Sequence, residues 1–281
     1  MKKLWIVISA LACTLSTVAG AQPPAGDAGI NGIAHIAIRV SDLDREILFL
    51  GKLGYEEAFA TTHAGKTLEV FIKVNDRQFI ELYPQTDPSQ PLGWMHACYE
   101  AGDLDALVRY YQSIGLKVAP VRKAGAGNLI SSMKDPEGRV TEFTQYMQGS
   151  RHMLDRGQHL GVNRVSTALM GFDLPVNGLA AEKQFFVQLG FEAEDTGGSV
   201  RLTAPAAPDL RIELSQAHPG SQPEFLFPVS DARKAADTLR HAGVKSKRDE
   251  KLIFVHDPDG NEFVFLDTGS EHERHLPHWI P

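Results

Sequence analysis

Cysteine is nearly absent: the 281-residue sequence holds two, Cys13 and Cys98. That excludes the small cross-linked folds of secreted proteins, whose stability rests on several disulfides. Basic charge is also short, with 28 Lys and Arg against 35 Asp and Glu and a formal net charge of −7. Without a cationic excess there is no broad surface to neutralise phosphates, so nucleic acid is not expected as a partner. The apolar run Leu4–Leu15 is shorter than the roughly 20 residues a bilayer-spanning helix needs. What is there is a chain 43% hydrophobic and 22% charged, enough to bury a core in one large domain or two ordinary ones.

The first residues differ from the rest. Lys2 and Lys3 precede the apolar run and Ala19-Gly20-Ala21 follows it, the three-part pattern of a cleavable secretory signal peptide. Residues 1–21 are therefore expected to direct the chain to the periplasm or beyond, with cleavage after Ala21 and no stable membrane span afterwards. Lipid attachment at Cys13 ranks second, because Ala10 fits that cleavage pattern poorly. Once the leader is removed Cys98 is the only thiol, and no intramolecular disulfide can form. Residues 22–31, with Pro23, Pro24, Gly26 and Gly29, read as a flexible leader.

The folded part opens on a strand, Ile33–Val40, then a helix capped by Ser41 and Asp42 and stopped at Gly54. Thr67–Val74 and Gln78–Tyr83 read as strands around a turn at Asn75-Asp76. Trp94–Glu100 is a further strand, and Asp103–Ile114 a helix stopped by Gly115. Leu129–Met133 and Arg139–Tyr146 flank the reversal Asp135-Pro136-Glu137-Gly138, where proline and glycine suit a tight turn. After the polar stretch 148–158 the order restarts with a strand over Ala168–Leu174 and a helix over Asn177–Leu189. Gly190-Phe191 matches Gly54-Tyr55, Arg211–Leu214 matches Phe79–Leu82, and Val229-Ser230-Asp231 matches Ala101-Gly102-Asp103. Asp257-Pro258-Asp259-Gly260 matches Asp135-Pro136-Glu137-Gly138. Matches in one order at a slowly shrinking offset mark a duplication. The expected division is a first domain over 32–147, a linker over 148–159, a second domain over 160–268 and a tail over 269–281, with two βαβββ-like modules per domain in an α+β fold.

Within the first half His35, Glu81, His96 and Glu142 each sit inside an apolar strand. One such histidine is ordinarily a hydrogen-bonded core residue. Two carboxylates are much more costly to bury, and two imidazoles with two carboxylates at matching strand positions need a shared explanation. A divalent cation supplies one. Imidazole nitrogen and carboxylate oxygen suit zinc, iron, nickel or manganese, and such a set leaves coordination positions open to water or substrate.

At these residues the sequence resembles the vicinal oxygen chelate superfamily, which includes glyoxalase I, extradiol dioxygenases and the fosfomycin and bleomycin resistance proteins. The resemblance rests on GIAHIAIRVSDLDREILFLGKLGYEEAF, on HACYEAGDLDALVRYYQSIGLKV, and on DPEGRVTEF, repeated as DPDGNEFVF. It implies paired modules closing into cup-shaped half-barrels, with one divalent metal ion held by His35, His96 and Glu142. Glu81 matches the fourth, glutamate ligand of glyoxalase I members. In the second half Met170 stands where His35 does and Glu224 where His96 does, while Glu213 and Glu262 remain. A thioether with carboxylates is a poor site for these metals, and alternation places Phe172, Leu226 and Val264 on the inner face, so that half is expected to be structural.

Alternation also names the lining of the first cup. Arg39 joins His35, Cys98 and Glu100 join His96, Phe79 and Tyr83 join Glu81, and Thr144 and Tyr146 join Glu142. Arg39 can grip an anionic group of a substrate or pair with Glu100; Cys98 reads as a small filler on the substrate-facing side; Tyr83 and Tyr146 orient a substrate or wall the barrel. His152 and His159 have no partners nameable from sequence.

Three functions compete for a small-molecule substrate. Glyoxalase-like lyase or isomerase chemistry, with Glu142 or Glu81 removing a proton beside a metal-bound carbonyl, is favoured by the four-residue set. An extradiol-type dioxygenase is favoured by the four-module length, but family dioxygenases place a tyrosine shortly before the last glutamate, where Ser132 and Met133 stand here. They also commonly place the metal in the other half. The third is a non-catalytic binding or resistance protein. Oligomeric state, a homodimer included, stays open, because modules paired within one chain remove the need for a partner.

Overall fold

The computed structural model describes residues 29–269. The expected signal peptide with Cys13, most of the leader, and the tail residues His272, His275, His278 and Trp279 lie outside the described residues. The first half runs β1 (Ile30–Val40), α1 (Leu43–Lys52), β2 (Glu56–His63), β3 (Lys66–Asn75), β4 (Gln78–Pro84), β5 (Gly93–Ala101), α2 (Leu104–Ser113), β6 (Arg122–Lys123), β7 (Leu129–Lys134) and β8 (Val140–Gln145). A short helix α3 (Arg151–Leu154) follows. The second half repeats the plan as β9 (Gly171–Val176), α4 (Leu179–Gln188), β10 (Glu192–Asp195), β11 (Ser199–Ala204), β12 (Ala207–Gln216), β13 (Glu224–Val229), α5 (Ala232–His241), β14 (Lys247–Asp249), β15 (Leu252–His256) and β16 (Glu262–Asp267). No helix among the described residues is long and apolar enough to cross a membrane.

Each half is one eight-stranded mixed sheet, ordered β2-β3-β4-β1-β5-β8-β7-β6 in the first and β10-β11-β12-β9-β13-β16-β15-β14 in the second. The tandem repeat expected from the sequence is therefore present, curled as half-barrels. The opening strands of the two modules, β1 and β5, lie antiparallel at the centre of the first sheet, and each pairs in parallel with the last strand of its own module, β4 or β8. That is why residues far apart in sequence meet: His35, Glu81, His96 and Glu142 all lie on these four strands.

Helix starts follow the aspartates. Asp42 accepts from the Arg45 N–H, Asp103 from Ala106 and Asp231 from Arg233 and Lys234, each cap worth about 1 kcal/mol. One apolar core joins the halves, with Leu50, Tyr55, Tyr111 and Phe143 packed in the same cluster as Phe172, Phe191 and Phe263. Trp94 of β5 stacks on Phe225 and tilts against Phe172, and the Tyr111 hydroxyl donates to the Leu189 carbonyl.

The two Asp-Pro turns hook the halves together reciprocally. Glu137 accepts from the Asn177 and Gly178 N–H groups at the start of α4, while Asp259 accepts from the N–H and hydroxyl of Ser41 before α1. The motif that revealed the duplication is thus also the clasp between its copies.

The second half departs from the sequence reading in register. β12 pairs Arg211 with Gly171 as β4 pairs Phe79 with His35, so the counterpart of His35 is Gly171, with Met170 beside it. Gly171 has φ 153°, and a Cβ built there would lie 1.7 Å from the Arg211 carbonyl oxygen. A histidine cannot occupy that position without moving β12. Likewise Val264, in register with Leu226, stands where Glu142 stands, and Glu262 matches Val140. The interior is filled by Met170, Leu226 and Val264; Phe172 faces the other way, onto Trp94. Replacing Gly171 with alanine is expected to cost about 3 kcal/mol or more through this backbone collision, read as a lower urea midpoint with unchanged slope.

Candidate functional site

The β1, β4, β5 and β8 strands present four polar side chains to the concave face of the first half-barrel. His35, Glu81 and His96 are buried, and Glu142 is partly so. The Nε2 atoms of His35 and His96 stand 3.2 Å apart. Glu142 Oε1 lies 3.6 Å from the same His35 nitrogen, whereas Glu81 Oε1 lies 3.2 Å from the other one, Nδ1. Two three-residue groups draw their donor atoms within 4.8 Å: His35 with Glu81 and His96, and His35 with Cys98 and Glu142. His35 is the hub of both, and the four do not form a single group of that size.

This geometry fits a divalent ion on donor chemistry and spacing. Two nitrogens each about 2.1 Å from one ion, at tetrahedral to octahedral angles, are separated by about 3.0–3.4 Å. The observed imidazole pair falls within that span and Glu142 just beyond it. Glu81 on His35 Nδ1 is placed as carboxylates are that fix the tautomer of a ligating histidine.

The electrostatics point the same way. Burial pushes His35 well below the usual histidine range, with His96 adding to the effect, and burial brings His96 to about 4. Both rings are neutral and free to offer lone pairs. Burial, then the charges of Glu142 and Glu69, raise Glu81 well above the carboxylate range, and burial lifts Glu142 to about 7. Every group is held toward its neutral form by desolvation, the cost that a bound cation offsets.

His35, Glu81 and Glu142 border a cavity of about 180 Å³, lined also by Glu69, Tyr83, Arg122, Asn128, Tyr146 and His152. Tyr83 donates to Glu69 and lies 3.0 Å from Glu81, and Glu69 also accepts from Thr61. Tyr146 contributes its ring to the wall, while its hydroxyl donates to the Arg77 carbonyl. Two of the residues expected to touch substrate stand elsewhere. Arg39 keeps the His35 face of β1, in register with Tyr83, but near the strand's end its side chain donates to the Pro91 carbonyl and is not part of the lining. The alternative Arg39–Glu100 pair is not formed either, since Glu100 is bridged by Arg77. Cys98 is fully buried, and its thiol, pushed up by burial, hydrogen-bonds the Glu142 carboxyl instead of meeting the cavity.

The sequence reading missed the wall formed by residues 148–159. Lys73, fully buried on β3, donates to the Asp155 carbonyl and carboxylate, and Arg151 caps the Phe59 ring and donates to the Ala60 carbonyl. These contacts clamp α3 across the cup and put His152 into the cavity wall. A lysine in an apolar strand was the available signal that a polar segment must cover β3. Nothing in the sequence pairs Asn128 with His152.

Residues 32–143 match the family model described as Glyoxalase/Bleomycin resistance protein/Dioxygenase superfamily. No curated protein matches the chain. Among solved structures, a 2,3-dioxygenase from Pseudomonas sp. KL28 superposes with a TM-score of 0.65 at 17% identity, covering 86% of this chain and 93% of that one. A catechol 2,3-dioxygenase gives 0.64 at 14% identity, covering 85% and 88%. A Mn(II)-bound glyoxalase from Novosphingobium aromaticivorans gives 0.62 at 17% identity, covering 84% and 82%. At these identities the likeness is one of fold.

Proposed function

From the membership of residues 32–143 in the Glyoxalase/Bleomycin resistance protein/Dioxygenase superfamily, we propose that the chain is an exported metal-dependent enzyme working on a small substrate with two adjacent oxygens. The observation that carries this reading is the pair of neutral imidazoles, Nε2 to Nε2 at 3.2 Å, with Glu142 beside them. His35, His96 and Glu142 would hold the ion, with Glu81 fixing the His35 ring. The ion, when bound, supplies Lewis-acid polarisation of substrate oxygens and charge for a developing enolate.

The protein's own groups do the rest. Glu81 has its second oxygen on the Tyr83 hydroxyl and stands at the cavity wall. It is the carboxylate placed to take a proton from the carbon beside a polarised carbonyl, since it can leave His35 Nδ1 without unseating Nε2. The proton taken up by Glu81 would return from the same carboxyl to the neighbouring carbon of the substrate, so that Glu142 serves as a ligand throughout. Phe71, Tyr83 and Tyr146 wall the space and exclude water. Lyase or isomerase chemistry of the glyoxalase kind is the reaction this arrangement supports best.

A ring-cleaving dioxygenase is the second reading. It is favoured by Glu81 sitting on Nδ1, which leaves a two-histidine, one-carboxylate set with open positions, as non-haem iron oxygenases use. Purified mature protein is expected to take up one equivalent of Zn²⁺, Ni²⁺, Mn²⁺ or Fe²⁺. Loaded protein in D₂O should then exchange the α-proton of a 2-hydroxycarbonyl, seen by NMR. Oxygen consumption with a catechol and Fe²⁺ instead would favour the second reading. No stoichiometric uptake of any of these ions would leave only a binding protein.

A further inference from the structure

His152 is 5% exposed in a wall where Phe59, Phe71 and Phe79 meet its ring nearly at right angles, so its plane is fixed. Its ring makes one hydrogen bond among the described residues, between Nδ1 and Asn128 Nδ2 at 3.0 Å. Which atom donates there is settled by the other end of the amide. Asn128 Oδ1 accepts from the Met147 N–H at 3.1 Å, and a backbone N–H can only donate, so that amide atom must be the oxygen. The amide nitrogen therefore faces His152 and donates, Nδ1 must accept, and in a neutral ring the proton is left on Nε2.

Burial holds this ring neutral, at about 4. Asn128 and His152 both line the cavity that also contains His35, Glu81 and Glu142. Nε2 carries a proton and has no acceptor among the described residues. A donor of fixed tautomer in a cavity wall, with no protein acceptor, is arranged for an acceptor that enters the cavity.

We propose that His152 donates from Nε2 to an oxygen of the substrate in this cavity, and that Asn128 is the positioning residue that keeps His152 in that donor state. This deepens the metal-enzyme reading, on which it rests for the location of the substrate. The ligand class is a small molecule with an acceptor oxygen near the metal-bound pair: a carbonyl, an enolate or a phenolate. A neutral imidazole can polarise such an oxygen without giving up its proton.

Two measurements test it. In metal-free protein, ¹⁵N NMR of the histidine side chains should show His152 as the Nε2–H tautomer. In Asn128→Asp, whose carboxylate still accepts from Met147 but cannot donate, it should switch to Nδ1–H. Mn²⁺-loaded protein is then titrated with 4-nitrocatechol, a chromophore with adjacent oxygens. Asn128→Asp and His152→Phe should retain Mn²⁺ and weaken the dye about tenfold, the loss of one hydrogen bond, while His152→Gln, which keeps a donor, should recover part of it. An Nδ1–H tautomer in the unaltered protein overturns the proposal, as does wild-type dye affinity in both Asn128→Asp and His152→Phe at full Mn²⁺ content; either leaves the metal reading standing. Failure of the unaltered protein to take up Mn²⁺ overturns both.

Discussion

His96→Ala is expected to abolish stoichiometric metal uptake, lowering affinity by at least a hundredfold, while Glu224→Ala at the matching position of the second half leaves uptake unchanged. The asymmetry follows from the registers. His96 Nε2 stands 3.2 Å from His35 Nε2, so removing it takes one of three close donors and leaves an ion with His35 and Glu142 only. Glu224 is paired across β13 with Glu262 and Asp173, and the place corresponding to the His35 pocket is packed with Met170, Leu226 and Val264. An ion there would meet a thioether and two alkyl chains, none of them a ligand for a hard or borderline cation. Elemental analysis and titration of metal-free protein read the outcome. Equal losses in the two variants would mean that uptake is not confined to the first half-barrel.

The same comparison shows how far the sequence alone reached. The repeat and the strands bearing His35, Glu81, His96 and Glu142 were legible because turn residues and apolar alternation are local signals, whereas their meeting in one half-barrel was implied by the resemblance to the vicinal oxygen chelate superfamily. β2 was not, because the run EEAFATTH is half exposed and alternates weakly. β6, an exposed two-residue strand, carries no periodicity at all. Glu262 was matched to Glu142 by the shared Glu-Phe pair, yet pairing aligns it with Val140. A two-residue slip keeps the same face of a strand, so alternation could not detect it. Arg39 keeps the face that alternation gives it, but near the end of β1 its guanidinium turns to the Pro91 carbonyl, a contact that no local pattern encodes. His152 required a tertiary fact, the Lys73–Asp155 clamp, that no local pattern encodes.

Glu46→Gln should raise stability by about 3 kcal/mol at pH 8 and remove most of the decline in stability between pH 5 and 9. Glu46 and Glu182 occupy the same turn of the equivalent helices α1 and α4, each buried against the Asp-Pro turn of the other half. They differ in what faces them. Glu182 accepts from the Glu137 N–H and meets Arg139 at 3.1 Å. In the second turn Asn261 stands where Arg139 does, spending its amide on Asp257, and Glu46 is left with both oxygens unbonded. Burial, followed by the charges of Asp257 and Asp259, lifts Glu46 to about 9. The folded protein therefore holds a proton that the unfolded chain releases near 4.5. Its stabilising contribution is complete below that value and is lost as pH rises through about 9, at about 1.4 kcal/mol per unit in between. Glutamine keeps the shape, stays neutral at every pH, and offers an N–H₂ to the aspartates. Thermal melts of both proteins across this range are the measurement: parallel curves would mean that Glu46 stays ionised in the folded protein, and that the clasp between Ser41, Arg45 and Asp259 compensates its charge.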